Sequence, residues 1–251
     1  MCLYVNKKFF AKARVNFYKF IKNYLMNTTN VTVESVNLIL QKLQELQVTY
    51  NQNKALILTE DDLKCQLFRL IYDLFPRNSE TFNPEITGCS VHSEIKFFDE
   101  LGKLTLRPDL IVIDPGNISI FHSTEFTMKR SGPEYNRLGS INFTIAGGAI
   151  LIELKFCRNR SGINQTDIID YQSDIDKIQR LKSIIESNNF GQEKVYGIFA
   201  AFNKTNNGEA IFEDFKSRNS DREDIHIFYG SGNVDFSTNS RRPYDFIDEE
   251  L

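Results

Sequence analysis

No two cysteines stand at CxxC spacing, and the four present (Cys2, Cys65, Cys89, Cys157) are far apart. That excludes zinc-finger spacing and a disulfide framework, and it points to reduced thiols in a cytoplasmic protein. The three histidines (His92, His122, His226) are scattered, with no HExxH or related zinc pattern. No GxxxxGK loop supports ATP hydrolysis, and no GxSxG elbow supports a serine hydrolase. No apolar run approaches the ~18 residues of a membrane span. Residues 1–26 carry six basic side chains (Lys7, Lys8, Lys12, Arg14, Lys19, Lys22) and no acid, but they lack the continuous apolar stretch of a secretory signal. Nor is there a charge excess of one sign. The 30 Lys and Arg nearly balance 33 Asp and Glu, for a net charge of -3. Such a balance argues against a protein that coats nucleic acid non-specifically, while leaving room for a local basic groove.

What is present suits one full core with an accessory region: 251 residues, 41% of them hydrophobic. Residues 7–26 carry Phe10, Ala13, Phe17, Phe20, Ile21 and Tyr24 at helical spacing, a basic amphipathic helix. A second helix is expected over 33–47, followed by a linker over 49–55. The expected organisation is thus a basic helical region over 1–50 and an α/β domain over 51–251. Thr59 then caps a third helix whose first turn is acidic. Its buried stripe is Leu63, Leu67, Leu70, Ile71 and Leu74. Extended back three residues, the stripe lands on Glu60, whereas Asp61 falls on another face. Strands are expected over 89–98, 103–114, 149–157, 194–202 and 224–230, and helices over 166–187 and 208–217. The segment 115–148 is an insertion with short strands near 117–121 and 141–145, and the acidic C-terminus (Asp245, Asp248, Glu249, Glu250) reads as a tail. Strands alternating with helices imply a layered α/β sheet.

The chemistry concentrates in "GGAILIELKFCR", residues 147–158. It reads as a central strand, yet Glu153 and Lys155 sit inside it. Alternate residues of a strand share a face, so the two charges point the same way. In "LRPDLIVID", Pro108 cannot donate to a sheet ladder and marks a strand start or bulge. Asp109 follows it. If that strand neighbours 149–157, Asp109 and Glu153 converge. Two carboxylates brought together out of water need a cation, and Mg²⁺ is the natural partner of oxygen ligands. Asp109, Glu153 and the carbonyl of Leu154 are the candidate metal ligands. Lys155 would orient a water or neutralise charge in the transition state, and Glu60 would hold a second metal or a metal-bound water.

"RPD" at 107–109, "ELK" at 153–155 and the acid-headed helix "TEDDLK" together resemble the PD-(D/E)xK nuclease superfamily, over about residues 58–202. The resemblance implies a three-layer restriction-endonuclease-like core, a central mixed β-sheet flanked by helices, here with an N-terminal helical extension. It implies a Mg²⁺-dependent nuclease (Mn²⁺ substituting) that hydrolyses phosphodiester bonds, DNA before RNA and endonuclease before exonuclease. Restriction, phage or mobile-element, or repair biology would suit it. Asp109 and Glu153 would ligate metal, Lys155 would be the catalytic lysine and Glu60 the auxiliary acid. Cutting both strands of a duplex would favour a homodimer. The alternative is a catalytically inactive module of the same fold, acting in nucleic-acid binding or protein assembly.

One departure is the 44 positions between Asp109 and Glu153, more than a plain hairpin needs. That leaves Asp114 and Glu125 as rival ligands. Glu94 shares a strand face with His92 and Lys96; an added ligand is one reading, and a solvated strand face is the favoured one. Lys129, Arg130 and Arg137 are insertion cations able to touch phosphate. Asp174 and Lys177 flank the apolar stripe of the helix over 166–187; a supporting role near the site is one reading, and an i,i+3 pair on the helix surface is the favoured one.

Overall fold

A computed structural model describes residues 31–81, 85–98, 104–121, 124–129, 132–137, 142–145, 147–188 and 193–234. The basic helix expected over 7–26 and the acidic tail lie outside these residues. Four helices are described: α1 (Val33–Gln52), α2 (Glu60–Tyr72), α3 (Gln165–Asn188) and α4 (Glu209–Arg218). Among the described residues no helix is long and apolar enough to cross a membrane.

The central sheet contains β1 (Val91–Ser93), β2 (Leu110–Ile113), β3 (Ala149–Cys157), β4 (Val195–Asn203) and β5 (Ile225–Ser231), hydrogen-bonded in that order. The pairs β1–β2 and β2–β3 are antiparallel, and the pairs β3–β4 and β4–β5 are parallel. The chain is therefore an α/β protein with a mixed five-stranded sheet. Helices α3 and α4 provide the crossovers that parallel neighbours require.

Alternation along β3 sorts the two faces. Ile150, Ile152 and Leu154 join Val36, Ile39 and Leu43 of α1 and Leu63, Leu67 and Ile71 of α2 in one core cluster. Ala149, Leu151 and Cys157 join Ile168, Tyr171, Ile175, Ile178 and Leu181 of α3 and Phe212 and Phe215 of α4 in the other. The sheet is thus covered on both sides. Nearly every residue of β3 and all of β4 are buried, as expected for strands sandwiched between helices.

Several boundaries differ from the sequence reading. Helix α1 continues through Gln52 because Leu46 and Tyr50 extend its buried stripe. The stretch expected as a linker is therefore partly its last turn, and residue 50 falls inside the helix. The strand expected over 89–98 breaks at Glu94, which adopts a left-handed backbone (φ 56°). The one expected over 103–114 breaks at Pro108, leaving Leu104–Leu106 to pair with Phe97–Phe98.

The insertion folds back on itself. Ile118–Phe121 pairs antiparallel with Asn142–Ile145, and Thr124–Lys129 with Gly132–Arg137. This nested ladder returns the chain to where it left, so Ile113 lies opposite Ala149.

Helix α3 is seated closely on the sheet at Gly197. A Cβ built there would lie 2.4 Å from Cγ2 of Ile178 and 3.2 Å from Cγ1 of Ile225. Neither contact is the free end of a flexible chain, so Gly197→Ala is expected to lower stability by about 1–3 kcal/mol through overpacking. Urea unfolding reads this directly, and an unchanged midpoint would contradict the close seating.

Candidate active site

The site forms where β2 ends and β3 runs on. Their register pairs Ile152 with Leu110. One further step sets Asp109 opposite Glu153, although Pro108 stops the ladder there. Instead the Asp109 side chain continues it: Oδ2 accepts the Leu154 N–H at 2.8 Å. In an extended strand the N–H and C=O of one residue point to the same edge, so the Leu154 carbonyl also faces the side that β2 has vacated. Two residues on, the Phe156 N–H donates to the Glu60 carboxylate.

Asp109, Glu153 and Lys155 belong to the sheet face covered by α3, the face of Ile111, Ile113 and Leu151. Glu60 reaches them from the other layer because it is the first residue of α2. There Thr59 closes a capping box: its hydroxyl accepts the Asp62 N–H at 3.0 Å, and the Asp62 carboxylate accepts the Thr59 N–H at 3.1 Å. With the helix start pinned, Glu60 Oε1 comes within 3.7 Å of the Lys155 ammonium. Asp61 turns outward and pairs with Lys64 at 2.9 Å.

Two further charges descend from α3. Asp174 accepts Lys155 on Oδ2 at 3.1 Å and Lys177 on Oδ1 at 3.0 Å. Lys177 also donates to Glu153 Oε2 at 2.8 Å. The i,i+3 pair expected on a helix surface does form, but it sits over the catalytic candidates. A signal was available in the sequence. Asp174 lies three residues after Tyr171 and four before Ile178, and Lys177 lies four before Leu181, so both fall on the apolar stripe.

The electrostatics follow from burial. Glu153 is only 2% exposed. Burial pushes its carboxyl up to about 8; Lys177 opposes the shift, and Asp109 and Asp174 add to it. Burial likewise raises Glu60, with Lys155 opposing. For Lys155, burial pulls downward, but Asp174 and Glu60 outweigh it and the ammonium is held above its ordinary value. At neutral pH Lys155 is therefore a cation and no proton acceptor. Lys177 behaves alike: burial opposes its charge, and Glu153 and Asp174 prevail.

Among the described residues four buried side-chain atoms have no hydrogen-bond partner (Tyr50 Oη, Asp114 Oδ2, Asn117 Nδ2 and Glu153 Oε1), and one of them is in this cluster. Glu153 Oε1 is buried without any hydrogen bond. A native buried carboxylate oxygen in that state calls for a ligand or a proton. Among the described residues no three His, Cys, Asp or Glu side chains form a ready-made metal cage. The oxygen donors fitting a cation are the pair Asp109 and Glu153 with the Leu154 carbonyl.

The other candidates fall elsewhere. Asp114 is at the opposite end of β2, beyond Ile113, and its Oδ1 accepts the Gly116 N–H at 2.9 Å. It is not beside Glu153. Glu94 is held by Lys64 at 2.6 Å and Arg107 at 3.3 Å. His92 Nε2 lies 2.8 Å from the Cys89 carbonyl oxygen. Cys65, Cys89 and Cys157 are free thiols. His122 and Arg130, and the side chains of Glu125, Lys129 and Arg137, lie outside the described residues.

No protein-family model, no curated protein and no solved structure matches this chain.

Proposed function

We propose that this chain is a Mg²⁺-dependent nuclease with a restriction-endonuclease-like core, hydrolysing phosphodiester bonds of nucleic acid, with DNA as the first substrate to test. The observation that carries the reading is the buried, unpartnered Oε1 of Glu153, set opposite Asp109 one register step beyond the Ile152–Leu110 pair, where the ladder opens. Two features support it. From α2 to β4 the central elements run α–β–β–β–α–β, the order expected of that core. And with every carboxyl ionised, the cluster of Glu60, Asp109, Glu153 and Asp174 against Lys155 and Lys177 would carry two uncompensated negative charges (four acids less two lysines), which one divalent ion would match. Without the ion, the raised Glu153 carboxyl relieves the excess by holding a proton.

Asp109, Glu153 and the Leu154 carbonyl are the oxygens that would hold Mg²⁺ or Mn²⁺. Bound there, the ion would supply positive charge to a phosphoryl group and acidity to a water. The chain's own residues do the rest. Lys155, kept charged by Asp174 and Glu60, stabilises negative charge that develops on the phosphate in the transition state. Because it stays protonated, it orients water as a hydrogen-bond donor and does not deprotonate it. Glu60, partly exposed at the mouth of the site, is placed to accept a proton from an incoming water. The Asp109–Leu154 hydrogen bond fixes the ligand's position against the end of β2.

A panel of single- and double-stranded DNA and RNA, incubated with Mg²⁺, Mn²⁺ or EDTA, tests the reading. Cleavage with either metal and none in EDTA is expected. Intact substrate throughout, with folded protein, would refute the nuclease assignment.

A further inference from the structure

We propose that Lys177 is the internal counterion of the site and that a divalent cation competes with it for Glu153. This rests on the cation site argued above and adds how that site is held before the ion arrives. Lys177 enters from α3, not from the sheet, and meets Glu153 Oε2 at 2.8 Å. Lys155, on the same strand face as Glu153, is turned elsewhere, to Asp174 at 3.1 Å and Glu60 at 3.7 Å. So the two lysines divide the acids between them and share only Asp174.

The division has a physical reason. Glu153 is fixed in a central strand and cannot swing out to water, so its charge needs a partner in place. Lys177 occupies one oxygen and leaves Oε1 bare. Its side chain is 26% exposed and flexible, and Asp174 already holds the ammonium at 3.0 Å, one helical turn away. An arriving cation thus finds an open oxygen on Glu153 and a lysine with somewhere to go. Lys177 retreats to Asp174 and solvent, and neither carboxylate is left uncompensated. Lys155 keeps its contacts throughout. Lys177 therefore weakens cation binding while keeping the metal-free site folded.

The test uses the full chain without nucleic acid, so it is independent of cleavage. Mn²⁺ affinity by calorimetry and thermal unfolding with and without Mn²⁺ are compared for wild type, Lys177→Gln and Lys177→Arg. Glutamine keeps a hydrogen bond to Glu153 without the charge. Lys177→Gln is expected to bind Mn²⁺ at least tenfold more tightly, to melt lower in EDTA, and to gain more from Mn²⁺ than wild type gains. Lys177→Arg should stay within about threefold of wild type. If wild type binds Mn²⁺ and Lys177→Gln binds it no more tightly, the counterion role is wrong while the cation site stands. If neither binds Mn²⁺, the cation site is absent and the proposal falls with it. Should Lys177→Gln fail to fold, the ¹⁵N resonance of the Lys177 ammonium in wild type decides during a Mg²⁺ titration. It is expected to shift on saturation, and a fixed resonance in a chain that binds Mg²⁺ overturns the proposal.

Discussion

Lys155→Met is expected to lower metal-dependent cleavage by about 10²–10³-fold while leaving Mn²⁺ affinity and the circular dichroism spectrum close to wild type. The lysine supplies positive charge to the reacting phosphate but belongs to no ligand set. Its half-buried stem rises from β3, and methionine fills similar volume. Asp109→Asn should lose a similar factor by a different route. The amide oxygen can still accept the Leu154 N–H at the position that Oδ2 holds now, so the local geometry survives, while the NH2 replaces the other carboxylate oxygen and both the ligand charge and that donor oxygen are removed. Mn²⁺ affinity should then fall together with the rate. Glu60→Gln should cost less, about tenfold, since its carboxylate is partly in water and touches Lys155 only at 3.7 Å. The pattern matters more than any one value. Lys155→Met retaining half the wild-type rate would remove the lysine from the mechanism, and Asp109→Asn with unchanged Mn²⁺ affinity would remove the aspartate from the ligand set.

Much of this arrangement was legible because it depends on short-range periodicity. Thr59 and the acidic turn behind it announce α2, and the stripe from Leu63 to Ile71 selects Glu60 over Asp61. The period of two along β3 puts Glu153 and Lys155 on one face. Apolar runs separated by helical patterns give the alternating order of the second half. What was not legible depends on pairings across distance. Whether Asp109 meets Glu153 is decided by a nested hairpin in the insertion, and nothing in "NISIF" or "INFTI" specifies that they pair with each other. The break of the second strand was half-visible: Pro108 signals it, but Glu94 has no glycine to signal its left-handed turn. For Asp174 and Lys177 the helix-surface pair outweighed a supporting role near the site for another reason. A charged i,i+3 pair suggests solvent, and only their place on the stripe of α3 shows that they face the sheet. Charged residues on an apolar stripe are thus better taken as part of a site than as an edge of it.

Glu153→Gln is expected to make the chain more stable above pH 8 in EDTA, by on the order of a few kcal/mol, even as it destroys the proposed ligand set. The sign follows from the direction of the shift. The carboxyl's ordinary value is 4.5, and burial carries it to about 8 in the folded chain. A group whose folded value exceeds its unfolded value takes up a proton on folding. Its favourable contribution is complete below the unfolded value and is lost as pH rises through the folded one. Between about pH 5 and 8 this carboxyl alone therefore tilts stability downward with pH, because a buried anion must be carried into the fold with only Lys177 to balance it. Glutamine never ionises and its carbonyl still accepts from Lys177, so the variant should lack that slope. Urea unfolding at pH 5, 7 and 9 in EDTA reads the difference, which should be small at pH 5 and largest at pH 9. Mn²⁺ at pH 8 should reverse the order, since ligand binding to the native state stabilises wild type alone. If Glu153→Gln proves less stable than wild type at pH 9 in EDTA, the buried carboxylate is well compensated by its neighbours and has no need of a cation. If the order inverts on adding Mn²⁺, the charge at the centre of β3 is a cost to the fold that Lys177 offsets only in part and the bound ion offsets further.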